Sequence, residues 1–114
     1  MEIPEVVRKG LERRGGIEGL IGTLPDEESI NNLVGALQTL SDPIRLRILG
    51  LLETQPLCPC ILTRAVGASD SKLSYHLSAL QQSGLVKGRQ SGRWIVYRLT
   101  KKGRDSIQTI RQLP

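Results

Sequence analysis

At 114 residues, with no Phe, one Trp and two Tyr, the chain is long enough for one ordinary domain around an aliphatic core and too short for two. The net charge is +5, and it is unevenly placed: residues 57–99 hold six basic and one acidic side chain, 100–114 four and one, and 26–56 two and five, which favours a polyanionic partner. No apolar run is long enough to cross a bilayer, and two cysteines two residues apart make no secreted disulfide framework, so a membrane role is excluded and reduced thiols in the cytoplasm are expected.

The opening MEIPEVVRKG carries charges where a signal peptide has its apolar region. Val6, Val7 and Leu11 form one stripe, and Ile17, Leu20, Ile21 and Leu24 another. Gly15-Gly16 splits them, so a helix, a break and a second helical piece are expected before Pro25. Asp26 is suited to cap the next helix, with Glu27 and Glu28 in its first turn; Ile30, Leu33, Val34, Leu37 and Leu40 keep helical spacing. Ser41-Asp42-Pro43 supplies a new cap followed by proline at the first helical position. Ile44, Leu46, Ile48, Leu49, Leu51 and Leu52 then mark the helix expected to be most buried.

Gln55-Pro56 breaks the chain, and a short helix over Cys58–Val66 ends at Gly67. Gly67-Ala68-Ser69 forms a tight turn into a second helix capped by Ser69, the helix-turn-helix arrangement. Leu73, Leu77 and Leu80 face inward on that second helix, and the opposite face is Ser71, Tyr75, Ser78 and Gln82, flanked by Lys72 and Ser74. After Ser83-Gly84, β-formers on either side of Gln90-Ser91-Gly92 predict a hairpin carrying Lys87, Arg89 and Arg93. Thr100–Leu113 is a closing helix with a thin stripe of Ile107, Ile110 and Leu113, the mark of an edge element or of one packed on another subunit. The expected fold is mainly α with a small β-hairpin, in approximate order ααααα-ββ-α.

A helix bearing small hydroxyl side chains, followed by a basic ribbon, suits double-stranded DNA. The helix enters the groove while the ribbon holds the backbone. Ser69, Ser71, Lys72, Ser74 and Tyr75 are the candidate contacts on the helix, and Lys87, Arg89 and Arg93 those on the hairpin. His76 is the single histidine; it lies toward the inner side of the helix and is read as a packing residue that can also donate to a backbone group or a phosphate. Trp94 and Tyr97 are read as packing at the hairpin base, because single-strand binders need several exposed aromatics. No triad, phosphate-cradling glycine loop or carboxylate pair beside a histidine is present, so an enzyme is not expected.

Cys58-Pro59-Cys60 is the other chemically loaded stretch. Residues two apart on a regular helix point about 200° apart and cannot share one ion. Pro59, however, suits the first helical position and pushes Cys58 out of the α region, so Cys58 becomes the cap and its thiol can turn toward Cys60. A helix N-terminus favours thiolate, and a thiolate pair is a candidate site for a soft ion such as As(III), Cd(II) or Pb(II). Simple packing of both thiols is the plain alternative. A redox switch is the other, through an intersubunit bond, since a disulfide across one residue is strained.

Residues 36–99 resemble the ArsR/SmtB family of winged-helix repressors. The likeness is carried by Ala36-Leu37, by Leu40-Ser41-Asp42-Pro43-Ile44-Arg45-Leu46-Arg47-Ile48-Leu49 and by Leu57-Cys58-Pro59-Cys60. It continues through Ser69–Leu77, Gly84-Leu85-Val86 and Gly92–Leu99. The resemblance implies a winged helix-turn-helix and a homodimer joined through its first and last helices on a near-palindromic operator. It also implies release by an inducer, commonly a thiophilic or transition metal ion. The corresponding layout is one domain over 1–114, with dimerisation helices at 1–25, the helix-turn-helix at 57–82, the wing at 85–99 and a dimerisation helix at 100–114.

Three departures from the family stand out. Tyr75 takes a position where arginine is common, and Asp70 brings a carboxylate toward phosphates. Thr63 stands where the family's arsenic-sensing pattern has a third cysteine, so completing a site would need solvent, a buffer thiol or a carboxylate such as Glu2 or Glu5. The family's other metal site is absent, since the last helix has no His and only Asp105. Two further readings remain: a repressor answering to thiol oxidation at the same cysteines, and a winged-helix interaction module with no effector site.

Overall fold

The computed structural model describes residues 2–113. Its helices are α1 (Glu5–Arg14), α2 (Gly16–Ile21), α3 (Glu27–Leu40), α4 (Pro43–Thr54), α5 (Pro59–Val66), α6 (Asp70–Gln82) and α7 (Lys101–Arg111), with a hairpin of β1 (Val86–Ser91) and β2 (Trp94–Leu99) before α7. The order is therefore αααααα-ββ-α, one helix more than the approximate order because the two pieces expected on either side of the Gly15-Gly16 break count as separate helices. Contacts group the chain into Met1–Leu33 and Val34–Pro114.

In the first unit the helical pattern is as expected, but none of its helices buries a residue. Val6 is 76% exposed and Ile17 64%, so these stripes are apolar surface. Asp26 caps α3 by accepting from the Ser29 N–H at 2.7 Å. Hydrogen bonds from the Ser29 side chain and backbone hold the Asp26 carboxyl below its ordinary range. On α3, Ile30, Leu33, Val34 and Leu37 are exposed in the same way, and only Leu40 packs against the core.

The second unit is built on α4. Asp42 caps it, accepting from Ile44 N at 2.8 Å and Arg45 N at 3.1 Å, and Pro43 takes the first turn. Only Pro43, Arg47 and Thr54 of α4 are exposed, in keeping with its run of aliphatic residues. Ile48, Leu49 and Leu52 meet Leu62 of α5, Leu73, Leu77 and Leu80 of α6, Leu85 before the hairpin, Val86 at the start of β1, and Ile107 of α7. The core is wholly aliphatic, with Tyr97 at its fringe. Gly67 ends α5 in the left-handed conformation (φ +69°), which permits the tight turn into α6.

The hairpin turn is displaced from the expected Gln90-Ser91-Gly92. Ser91 pairs with Trp94, so the strands run on through Gln90 and Ser91 and the turn is Gly92-Arg93. Gly92 has φ +62° and Arg93 does not share the positive φ, the pattern of a two-residue turn with glycine first. On its other side β2 is bridged by Leu57: Leu57 N donates to Tyr97 O at 3.1 Å and Tyr97 N to Leu57 O at 2.9 Å.

Helix α7 is seated by a close approach. A Cβ on Gly103 would lie 2.0 Å from the Leu85 carbonyl oxygen, while Thr100 Oγ1 accepts from Gly103 N at 3.0 Å. Ile107 is buried, Ile110 half-buried and Leu113 exposed, so the thin stripe covers less than its spacing implied. We expect Leu62→Ala, at a fully buried site, to cost about 2–5 kcal/mol. Gly103→Ala is also expected to destabilise, although alanine normally gains about 1 kcal/mol over glycine in a helix. Urea melts at fixed protein concentration check both; an unchanged midpoint for Gly103→Ala would mean that α7 does not rest on Leu85.

Candidate nucleic-acid interface and its thiol pair

Ser69 caps α6, its Oγ accepting from the Lys72 N–H at 3.2 Å. With Leu73, Leu77 and Leu80 in the core, helical spacing turns Ser71, Lys72, Ser74 and Tyr75 outward, all exposed. Ser69, Ser71, Lys72 and Tyr75 line one open concavity of about 610 Å³ together with the Gly67-Ala68 turn and Ile44. Ser74 is exposed on the same helix outside that concavity.

His76 does not join this face. It is 6% exposed, and its Nδ1 accepts a hydrogen bond from Arg45 Nε at 3.0 Å. A ring this enclosed has too little surface to contact a phosphate directly, so its expected place among the contacts gives way to its packing role. Arg45 also donates from Nη1 to Thr39 O at 3.1 Å, and its guanidinium carbon lies 5.6 Å from the centre of the Tyr75 ring. One arginine of α4 thereby fixes both the inner histidine and the outer tyrosine of α6. Asp42 Oδ1 stands 4.0 Å from His76 Nδ1. Burial pushes the Asp42 carboxyl up, but the Arg45 and Ile44 N–H groups, with the His76 and Arg45 side chains, outweigh it and hold it below the ordinary range.

On the hairpin, Lys87 and Arg89 are exposed and share a basic groove of about 360 Å³ with Arg98, the cross-strand partner of Lys87. Arg98 was not among the residues expected from sequence; the alternation of β2 hints at it, but only the register puts it opposite Lys87. Arg45 was missed as well, because one cation inside an aliphatic helix does not announce its partners. Arg93 sits in the turn itself, outside that groove.

The cysteines come together as their spacing around proline predicts. Cys58 is extended (φ −91°, ψ 160°) as the cap of α5, Pro59 follows at the first position, and the two Sγ atoms are 2.9 Å apart. The Cys60 thiol, and then the Ile61 N–H, hold the Cys58 thiol below its ordinary range, while the same pairing, with burial, pushes Cys60 up. Thr63 offers no third ligand: its hydroxyl donates to Pro59 O at 3.1 Å and Cys60 O at 3.0 Å. Trp94 and Ser91, which flank the hairpin turn, line a groove with both cysteines. Trp94 is 54% exposed, at the tip end of the hairpin rather than in the packing at its base.

Residues 42–87 match the family model described as "Bacterial regulatory protein, arsR family". The arsenical resistance operon repressor of Escherichia coli (strain K12) is 45% identical over 62 residues, covering 54% of this chain and 53% of that protein. A Staphylococcus xylosus protein of the same description is 38% identical over 79 residues, covering 69% of this chain and 76% of its own. This chain belongs to the arsR family. The crystal structure of NolR from Sinorhizobium fredii shares the fold at 33% identity and a TM-score of 0.68, over 77% of this chain and 87% of that one. The chain spans about half the length of the E. coli relative.

The arsR-family frame makes the donor count at the thiol pair the informative quantity. Two adjacent thiols, one of them inclined to ionise, suit a thiophilic ion. Among the described residues, however, no group of three or more Cys, His, Asp and Glu is placed to hold a metal. Cys58 and Cys60 are the chain's two thiols, and both are free. Because the neighbouring Cys60 thiol holds Cys58 below its ordinary range, iodoacetamide is expected to alkylate Cys58 first, with a pH midpoint below that of an ordinary thiol. Cys60→Ala should move that midpoint upward, as peptide mass spectrometry across a pH series would read; an unmoved midpoint would remove the thiol–thiol hydrogen bond as its cause.

Proposed function

We propose that the chain is a sequence-specific, double-stranded DNA-binding transcriptional regulator. It works as a homodimeric repressor released by a thiophilic metal or metalloid at Cys58 and Cys60. The observation that carries the DNA reading is the pairing of an exposed hydroxyl-rich helix face with a separate basic groove of Lys87, Arg89 and Arg98. Ser69, Ser71, Lys72, Ser74 and Tyr75 read base edges and nearby phosphates in the major groove, and Lys87, Arg89, Arg98 and Arg93 hold the backbone beside it. Tyr75 in place of arginine weakens guanine readout and gives an apolar edge and a hydroxyl instead. His76 acts from beneath, through Arg45, by holding the helix that carries the face.

The homodimer is supported by the exposed apolar stripes of α1, α2 and α3, which a second copy would cover. A two-fold dimer presents two recognition helices and so calls for a near-palindromic operator. The E. coli and S. xylosus relatives are both named arsenical resistance operon repressors, which supports repression and a metalloid effector. Occupancy of the thiols would reach the DNA through the wing, because Ser91 and Trp94 border the pair and flank the turn that carries Arg93. A second reading, release by thiol oxidation, is favoured by the accessible, readily ionised Cys58.

Anisotropy titrations with duplex from the chain's own upstream region test both parts. DNA affinity should fall steeply with salt, and Lys72→Ala or Arg93→Ala should weaken binding on all sequences, each lowering the salt slope by about one. Charge reversal at Lys72 and Arg93 without loss of affinity would instead support an interaction module. The Cys58→Ser, Cys60→Ser double variant should bind as wild type does and stay bound when arsenite, Cd(II) or oxidant is added. Equal release of both proteins would sink the effector role of the cysteines.

A further inference from the structure

We propose that the Cys58–Cys60 pair and the apolar groove beside it take monosubstituted trivalent arsenicals, R–As(OH)2 with an aryl or similar apolar R, in preference to inorganic arsenite. The proposal rests on the reading of this pair as the effector site and gives that site a ligand class. Its first support is valence. Arsenite carries three exchangeable hydroxyls and is held best by three thiolates, whereas a monosubstituted arsenical carries two. The chain offers two thiols at 2.9 Å, and the neighbouring Thr63 hydroxyl is committed to the Pro59 and Cys60 carbonyls.

The exchange is balanced. Each sulfur replaces one hydroxyl on arsenic, so two As–S bonds form and two As–O bonds break. The two thiol protons leave with the hydroxyls as two waters, and arsenic stays trivalent, with nothing oxidised or reduced. With the sulfurs 2.9 Å apart, the thiol that has not yet reacted is in place to close the chelate once the first As–S bond has formed.

The second support is the place left for R. A groove of about 320 Å³ opens on both thiols and is walled by Pro56, Leu57, Ile61, Trp94 and Val96, with Ser91 as the one other polar side chain. Ile61 is 44% exposed and Trp94 54%, so neither is used up by the core. A flat aryl group bonded to arsenic between the sulfurs lies against the indole and the Ile61 side chain, where its burial adds affinity that a hydroxyl in the same position cannot.

The test uses reduced full-length protein, with phenylarsine oxide (which hydrates to the phenyl-substituted acid), methylarsonous acid and sodium arsenite as probes. Emission of Trp94, the single Trp, reports binding, and intact mass with free-thiol counting reports stoichiometry. The expected result is a one-to-one phenyl adduct that consumes both thiols and forms about tenfold or more tighter than the arsenite complex. Trp94→Ala, read by mass, and Ile61→Asn should each weaken the phenyl compound about tenfold while leaving the methyl compound unchanged. Circular dichroism and retained DNA binding confirm that each variant folds. Arsenite bound as tightly as the phenyl compound, or a phenyl preference surviving both variants, overturns the proposal. Arsenite that releases DNA with no aryl preference defeats this inference alone. Phenyl binding that leaves the DNA complex intact defeats the effector reading alone.

Discussion

The two backbone hydrogen bonds between Leu57 and Tyr97 are the constraint on which the chemistry of this chain depends. They turn the link between α4 and α5 into a one-residue third strand on the outer edge of β2. The next residue is Cys58, so the bridge sets where the α5 cap stands relative to the hairpin. It also satisfies backbone groups of β2 on the side that β1 does not reach. Without it, the thiols, the indole of Trp94 and the hairpin turn would have no common frame.

A second tie acts on the other side of the helix-turn-helix. Arg45 spends its donors inside the molecule, on the His76 ring and the Thr39 carbonyl, and its cation faces the Tyr75 ring. The Arg45 side chain of α4 and a backbone carbonyl at the end of α3 therefore set how α6 is held. The bond from Arg45 runs to His76 Nδ1, which accepts it. Asp42 joins the same cluster while capping α4, which is why a single loop residue bears on two helices at once.

Much of this was legible from the chain alone, for local reasons. Asp42-Pro43, Cys58-Pro59, Gly67 and Ser69 are capping and stopping signals whose physics acts within a few residues, and each stands where it was expected. The proline between the cysteines likewise made their convergence readable. What failed to show were the contacts without a period. A one-residue bridge leaves no alternation, so no pattern in the sequence marks Leu57 as the partner of β2. The hairpin turn slipped because Gln90 and Ser91 resemble turn residues, whereas Gly92 alone satisfies the positive φ that a two-residue turn needs. Arg98 and Arg45 became meaningful only once strand register and helix packing named their neighbours. The stripe on α3 was plain as a pattern, but a stripe does not say what covers it.

The division of charge between α6 and the hairpin has a kinetic consequence. On α6, the charges of Asp70 and Lys72 cancel in the first turn, so the exposed face of the helix projects little long-range field. The field comes from Lys87, Arg89, Arg93 and Arg98, on the ribbon. On the proposed DNA reading, a duplex approaching such a surface would be drawn to the ribbon first and searched by the helix afterwards. Speed of encounter and length of stay would then fall to different elements. A chain built this way could change which sequence it prefers, through serine and tyrosine replacements on α6, while arriving at DNA as fast as before.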